Sequence, residues 1–127
     1  MVLEIGTGSG YQAAILGELA REVYTIEIVP ELAERSRRTL EVEGYRTVHV
    51  RAGDGYQGWP EHAPFQKIMV TAAPEEVPPA LVEQLAVGGT MILPVGPRLG
   101  HQELRILTKT GTGVLTERSL PVRFVPM

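Results

Sequence analysis

The chain has 127 residues, 43% of them hydrophobic and 21% charged, with a mean hydropathy of +0.01; this is the profile of one globular domain and excludes a disordered chain. Twelve Lys and Arg against 15 Asp and Glu leave a net charge of −3, so nothing global draws it to nucleic acid or to an anionic membrane. With no cysteine it offers no disulfide framework, thiolate metal site or cysteine nucleophile, and a cytoplasmic setting is expected.

Short apolar runs alternate with amphipathic helical patterns, which is the signature of βαβ units around a parallel sheet. Residues 2–5 read as a strand running straight into glycines, and 11–19 as a helix with Ala14, Ile15 and Leu19 near its inner face. A second strand covers 23–28. Pro30 opens a second helix at its first turn, with Glu31 against the positive end of the helix dipole. Leu32, Ser36 and Leu40 mark its inner face, while Glu31/Arg35 and Glu34/Arg38 are i, i+4 pairs outside. Strands follow over 47–52 and 67–71, then a helix over 79–86, the Gly88-Gly89 turn and a strand over 90–95. Two strands over 103–109 and 114–125, joined by Thr110-Gly111-Thr112-Gly113, end the chain as a hairpin. The expected fold is α/β, a mostly parallel open sheet ending in that antiparallel hairpin, in one domain over 1–127. No stretch approaches the ~20 apolar residues of a membrane helix. A domain rarely begins on a buried strand, so the start at Val2 points to a domain cut before its first strand, with one sheet face short of covering helices.

Open α/β sheets bind ligands at the carboxyl ends of their strands. The loop there is Glu4-Ile5-Gly6-Thr7-Gly8-Ser9-Gly10, where glycines allow close backbone approach. Position 11 is Tyr, not the third glycine of a dinucleotide fingerprint, and no Gly-Lys-Ser/Thr follows for a phosphate loop. Glu27 ends the second strand, where a carboxylate meets two ribose hydroxyls, and Asp54 stands between Gly53 and Gly55 after the third, placed for an adenine amino group. Either could instead be an ordinary strand-end or turn residue; their order after successive strands favours adenosine. Adenosine without a pyrophosphate cradle points to S-adenosylmethionine, whose cationic groups suit a pocket with Glu4, Glu27 and Asp54.

The run Val2-Leu3-Glu4-Ile5-Gly6-Thr7-Gly8-Ser9-Gly10-Tyr11-Gln12 resembles the first cofactor motif of the protein-L-isoaspartate O-methyltransferases. The likeness continues through Ile26-Glu27, Gly53-Asp54-Gly55-Tyr56, Gly58-Trp59-Pro60, Val70-Thr71-Ala72-Ala73, Gly88-Gly89, Pro94-Val95-Gly96 and the terminal Pro121-Val122-Arg123-Phe124-Val125-Pro126-Met127. It departs at Gln66-Lys67, where the family shows an Asp, and at the start, where family members carry helices and a Ser/Thr loop before the first strand.

The resemblance implies a Rossmann-like methyltransferase fold with S-adenosylmethionine as cofactor. Glu27 would bind ribose, Asp54 and Gly55 adenine, and Gly6, Gly8 and Gly10 the methionine end, with Glu4, Thr7, Ser9, Ile28 and Thr71 completing the contacts. Thr71 and Ala72 would lie near the reacting groups, the family's N-terminal serine having no counterpart, and Val122, Phe124 and Val125 would receive the substrate. The implied reaction methylates the α-carboxylate of isoaspartyl residues in damaged proteins and peptides, whose esters close to a succinimide and return partly to aspartate. A carboxylate of pKa near 4 is already a nucleophile at neutral pH, so alignment and exclusion of water, not a base, carry such chemistry. The implied partners are isoaspartyl proteins, with no nucleic acid and no membrane, for a chain that is a monomer when complete. The competing readings are a truncated, non-catalytic cofactor-binding fragment that needs a missing segment or partner, and a nucleotide-dependent oxidoreductase, which the glycine spacing disfavours.

His49, His62 and His101 lack metal-ligand spacing, so no metal is expected. Trp59 reads as a loop-packing residue and Pro78-Pro79 as a helix entry.

Overall fold

The structure is a computed structural model that describes residues 1–97, 101–122 and 127. Strand β1 (Val2–Ile5) is buried along its whole length, as an apolar run covered on both faces must be. Helix α1 (Tyr11–Leu19) starts after Gly10, and strand β2 (Val23–Glu27) is again wholly buried. Helix α2 (Pro30–Val42) has Pro at its first turn and buries Ala33, Ser36 and Leu40, with Leu32 only half-buried. Outside, Arg37 reaches Glu34 and Glu41 at 2.7 and 3.0 Å, and Arg38 reaches Glu34 at 3.2 Å. The expected Glu34/Arg38 pair therefore forms, whereas Arg37, not Arg35, supplies the second cation.

Strands β3 (Val48–Ala52) and β4 (Phe65–Val70) precede the short helix α3 (Pro79–Gln84), which passes directly into β5 (Leu85–Val95). The helix expected to run to 86 stops two residues earlier, and the strand expected at 90 starts at Leu85. Between the pairs Phe65↔Leu85 and Lys67↔Thr90 the register slips, so Gly88-Gly89 lies in a bulge within one strand and not in a turn between two elements. Strands β6 (Gln102–Lys109) and β7 (Val114–Val122) form the hairpin, closed by Thr110 N–H on the Gly113 carbonyl at 2.7 Å.

Among the described residues these strands form one sheet in the order β3-β2-β1-β4-β5-β6-β7. Pairing is parallel from β3 to β5 and antiparallel beyond it. The chain moves outward from β1 through β2 to β3 and then returns to the other side of β1 as β4, which puts the topological switch between β1 and β4.

Alternation along β1 sends Leu3 and Ile5 to one face and Val2 and Glu4 to the other. The first face carries the larger core, with Tyr24, Ile26, Phe65, Ile68, Leu81, Met91, Leu93 and Leu107. His49 and His62 stack on Tyr24 with ring centroids 4.8 and 4.3 Å away, and Trp59 packs edge-on to it at 5.3 Å. The second face holds a smaller cluster of Val2, Ala13, Val23, Leu40 and Val48.

Helix α1 presents a different side to that cluster than its apolar pattern suggests. Ala13 is buried and Ala14, Leu16 and Ala20 pack against the cluster, so of the expected inner-face residues Ala14 faces it, while Ile15 is 38% and Leu19 81% exposed. Small residues choose the face: a Cβ on Gly17 would stand 2.7 Å from Val48 Cγ2, so α1 seats on its smallest side chains and carries Ile15 and Leu19 out to its flank. Leu16 and Leu19 then border an open apolar groove of about 350 Å3 whose floor includes Met69 and Ile92. No helix among the described residues is long and apolar enough to cross a membrane.

Candidate functional site

A cavity of about 310 Å3 opens at the switch point, above the carboxyl ends of β1, β2, β3 and β4. It takes Ile5, Gly6 and Gly8 from the first strand and its loop, Ile26, Glu27 and Ile28 from the second, Asp54, Gly55 and Tyr56 from the third, and Thr71 and Ala72 from the fourth. Met127 closes one side.

The glycine loop is fixed from below by backbone bonds of Gly6 and Thr7 N–H to the Ile26 carbonyl at 2.8 and 3.3 Å. Gly8 N–H donates to Glu27 Oε1 at 2.8 Å, and the Ser36 hydroxyl of α2 donates to the Gly8 carbonyl. Gly6 has φ +101, and a Cβ there would collide with Thr71 Oγ1; only glycine fits both the conformation and the space. Thr71 Oγ1 donates to the carbonyls of Ile5 at 2.9 Å and Gly6 at 3.1 Å. Its single proton is shared between them, so Thr71 braces the loop across the switch and has no proton left to offer a ligand.

Glu27 is buried, with Oε1 accepting from Gly8 N–H and Oε2 from Val29 N–H at 3.1 Å. One backbone donor per oxygen fixes the plane of the carboxylate and leaves each oxygen able to accept again. Asp54 Oδ1 accepts from Tyr56 N–H at 2.9 Å, and Oδ2 has no protein partner among the described residues. The cavity therefore offers two oriented carboxylates among apolar lining that includes Ile5 and Ile26.

Of the residues expected to touch a cofactor, Gly6, Gly8, Glu27, Ile28, Asp54, Gly55 and Thr71 meet at this cavity, joined by Ala72. Glu4, Thr7, Ser9 and Gly10 do not line it. Glu4 is wholly buried on the opposite face of β1, where Thr25 Oγ1 donates to its Oε1 at 2.6 Å. Burial pushes its carboxyl up to about 7, against the lowering effect of the Thr25 bond, and the Glu27 charge adds to the rise. Thr7 joins the same chain, its hydroxyl 2.7 Å from Thr25 Oγ1. Ser9 is exposed and accepts weakly from Tyr11 N–H, and Gly10 caps α1. Val122 ends β7 opposite Gln102, and Phe124 and Val125 lie outside the described residues. Sequence reasoning missed Ile5, Ile26, Tyr56 and Met127. The first three stand inside the motifs themselves and could have been found by taking every motif residue at a strand's carboxyl end as cavity lining. Met127 is brought in by tertiary structure alone, through its N–H on the Ala73 carbonyl at 3.2 Å.

A second groove of about 380 Å3 shares Tyr56 and Met127 with the first and continues past Ala73, Glu75, Glu76 and Pro79. Among the described residues no cluster of His, Asp and Glu could hold a metal ion.

The geometry has relatives. A chain from Gloeobacter violaceus named protein-L-isoaspartate O-methyltransferase is 62% identical over 126 residues, which are 99% of this chain and 62% of that one. A solved structure named protein-L-isoaspartate O-methyltransferase superposes with a TM-score of 0.93 at 33% identity, covering 99% of this chain and 41% of its own. A Plasmodium falciparum chain named as a beta-aspartate methyltransferase, solved in complex with S-adenosyl-L-homocysteine, gives 0.79 at 26% identity, covering 98% and 64%. The chain thus spans about three fifths of the length of the Gloeobacter relative. The family model for protein-L-isoaspartate(D-aspartate) O-methyltransferase matches residues 1–127, and with the strand order and the cavity at the switch point this chain belongs to that family.

Proposed function

We propose that the chain binds S-adenosylmethionine in the switch-point cavity and supports methyl transfer to the α-carboxylate of isoaspartyl residues in damaged proteins and peptides. The observation that carries the reading is the convergence of Glu27, Asp54 and the Gly6–Gly8 backbone on one apolar slot. The residues present fit the cofactor. Glu27 Oε1 and Oε2, each with one acceptor site left, match two ribose hydroxyls, and Asp54 Oδ2 with the Gly55 amide matches an adenine edge. Gly6 and Gly8 line the cavity with bare backbone, which suits the methionine end. When bound, the cofactor supplies an electrophilic methyl group on a cationic sulfur.

The protein's own part is to orient and to exclude water. Thr71 and Ala72 stand where the first cavity approaches the second groove, and Thr71 keeps the loop still. On this reading the second groove takes the peptide. An ionised substrate carboxylate needs no base, so the want of an acid–base pair in the cavity agrees with this chemistry. The same reading makes the partner a protein or peptide, the setting the cytoplasm and the state a monomer. The match to protein-L-isoaspartate O-methyltransferases along residues 1–127 supports the methyltransferase reading.

The test is calorimetric titration with S-adenosylhomocysteine beside a methyl-transfer assay on an isoaspartyl peptide and its aspartyl twin. Binding with methylation of the isoaspartyl peptide alone is the expected result. A folded chain that binds no S-adenosylhomocysteine overturns the cofactor reading; binding with no discrimination between the peptides overturns the substrate reading.

A further inference from the structure

We propose that Gln84, outside the cavity, is the positioning residue for its adenine wall, an inference that rests on the cofactor reading above. Gln84 ends α3 and is 7% exposed. Its Oε1 accepts from Trp59 N–H at 2.8 Å and its Nε2 donates to the Gln57 carbonyl at 2.9 Å. Between those two backbone groups stands Gly58, with φ +63, and a Cβ there would fall on the Gln84 amide itself. The loop has closed onto the side chain with no room for another.

Arg51 of β3 grips the same stretch from the other side. Its Nη2 donates to the Gly58 carbonyl at 2.9 Å, and its guanidinium carbon lies 4.3 Å from the Trp59 ring centroid. Residues 57–59 are therefore held between helix α3 and strand β3. They are tied in turn to the cavity wall by Gln57 N–H on the Asp54 carbonyl at 3.1 Å and Gly58 N–H on the Gly55 carbonyl at 3.2 Å. A shift at 57–59 must move Asp54 and Gly55 with it. Gln84 thus sets the adenine wall without touching a ligand.

The clamp needs a group that accepts at one end and donates at the other, which a primary amide does and a carboxylate does not. Gln84→Glu keeps the acceptor for Trp59 but sets a second oxygen against the Gln57 carbonyl until it is protonated. The charged groups around the clamp are Arg51, which also pairs with Glu61 at 3.5 Å, Glu83 beside Gln84 in α3, and Lys109, whose Nζ donates to the carbonyls of Val82 and Glu83 at 3.1 and 3.3 Å. His62, 5.6 Å from Trp59 between ring centroids, is common to the unsubstituted chain and both variants, so the unsubstituted chain is its control.

The experiment measures S-adenosylhomocysteine affinity for the unsubstituted chain, Gln84→Glu and Gln84→Met at about pH 5.5 and about pH 8, each below its own melting transition. Emission of Trp59, the single tryptophan of the chain, reports the loop without any ligand. Both variants are expected to bind about tenfold more weakly at the higher pH. Gln84→Glu recovers at the lower pH, with Trp59 emission returning alongside, and Gln84→Met, near in shape but unable to hydrogen-bond, does not. Folded variants that bind within about twofold of the unsubstituted chain at both pH values overturn the proposal, as does equal weakening of the two variants with no recovery. Should the unsubstituted chain bind nothing while Trp59 emission in Gln84→Glu still follows pH, the cofactor reading falls and the clamp stands.

Discussion

The Thr25 hydroxyl donates to Glu4 Oε1 at 2.6 Å, while Glu4 Oε2 is buried with no hydrogen-bond partner among the described residues. Because Thr25 has one proton and spends it on Glu4, Thr7 must be the donor in the 2.7 Å contact between the two threonines. A directed chain therefore runs from the glycine loop to a carboxyl sealed under the sheet. Burial raises that carboxyl from 4.5 to about 7, so between those values the native state holds a proton that the unfolded state has released. The stabilisation is fully present below about 4.5 and is lost as pH climbs to about 7. The loss amounts to about 3 kcal/mol. Urea unfolding across this range should show the unsubstituted chain weakening by that order and Glu4→Gln losing the dependence. A variant with the same slope as the unsubstituted chain would place the titration elsewhere.

Gly6 and Thr71 make a second testable pair, since a Cβ on Gly6 meets Thr71 Oγ1 and the backbone is at φ +101. Gly6→Ala should cost about 1–3 kcal/mol from the conformation alone, with a further penalty from the collision. Thr71→Ala removes the collision, so Gly6→Ala should cost less in that background. Additive effects in the double-mutant cycle would show that the two residues do not meet.

Glu27 is oriented by Gly8 and Val29 N–H groups, one on each oxygen. Glu27→Gln turns one of those acceptors into a donor facing an N–H and removes the charge. S-adenosylhomocysteine affinity should fall about tenfold or more. The unsubstituted chain should also prefer the ribose form of the ligand to its 2′-deoxy analogue, and the variant should lose that preference. Retained discrimination in Glu27→Gln would move the ribose contact to another residue.

What the sequence made legible was local. The apolar run of β1, the glycines after it and the proline start of α2 declare themselves within a few residues, and Glu27 and Asp54 follow because each ends or succeeds a strand of the βαβ series. Glu4 was misplaced by one step of strand alternation: adjacent to the cavity in sequence, it points to the other face. The early start of β5 was hidden because a bulge with two glycines reads as a turn until the register with β4 is seen. Gln84 and Met127 reach the site through tertiary contacts, with no periodicity or spacing to announce them.

Helix α1 shows how packing overrides pattern and yields a further test. Gly17 to Ala in a helix ordinarily gains about 1 kcal/mol of propensity. Here the added methyl would stand 2.7 Å from Val48 Cγ2 and 3.3 Å from Tyr45 Cδ1. Val48 is β-branched and fixed in a strand paired to β2, so it has little freedom to turn aside. Overpacking of about 1–3 kcal/mol outweighs the propensity, and Gly17→Ala should lower stability. Leu19, apolar and on the same helix but 81% exposed, should tolerate Leu19→Ala within about 0.5 kcal/mol. Thermal or urea unfolding of the two variants decides which side of α1 faces the sheet: a stabilised Gly17→Ala beside a destabilised Leu19→Ala would mean that the helix sits on its apolar flank, as its hydrophobic pattern alone implies.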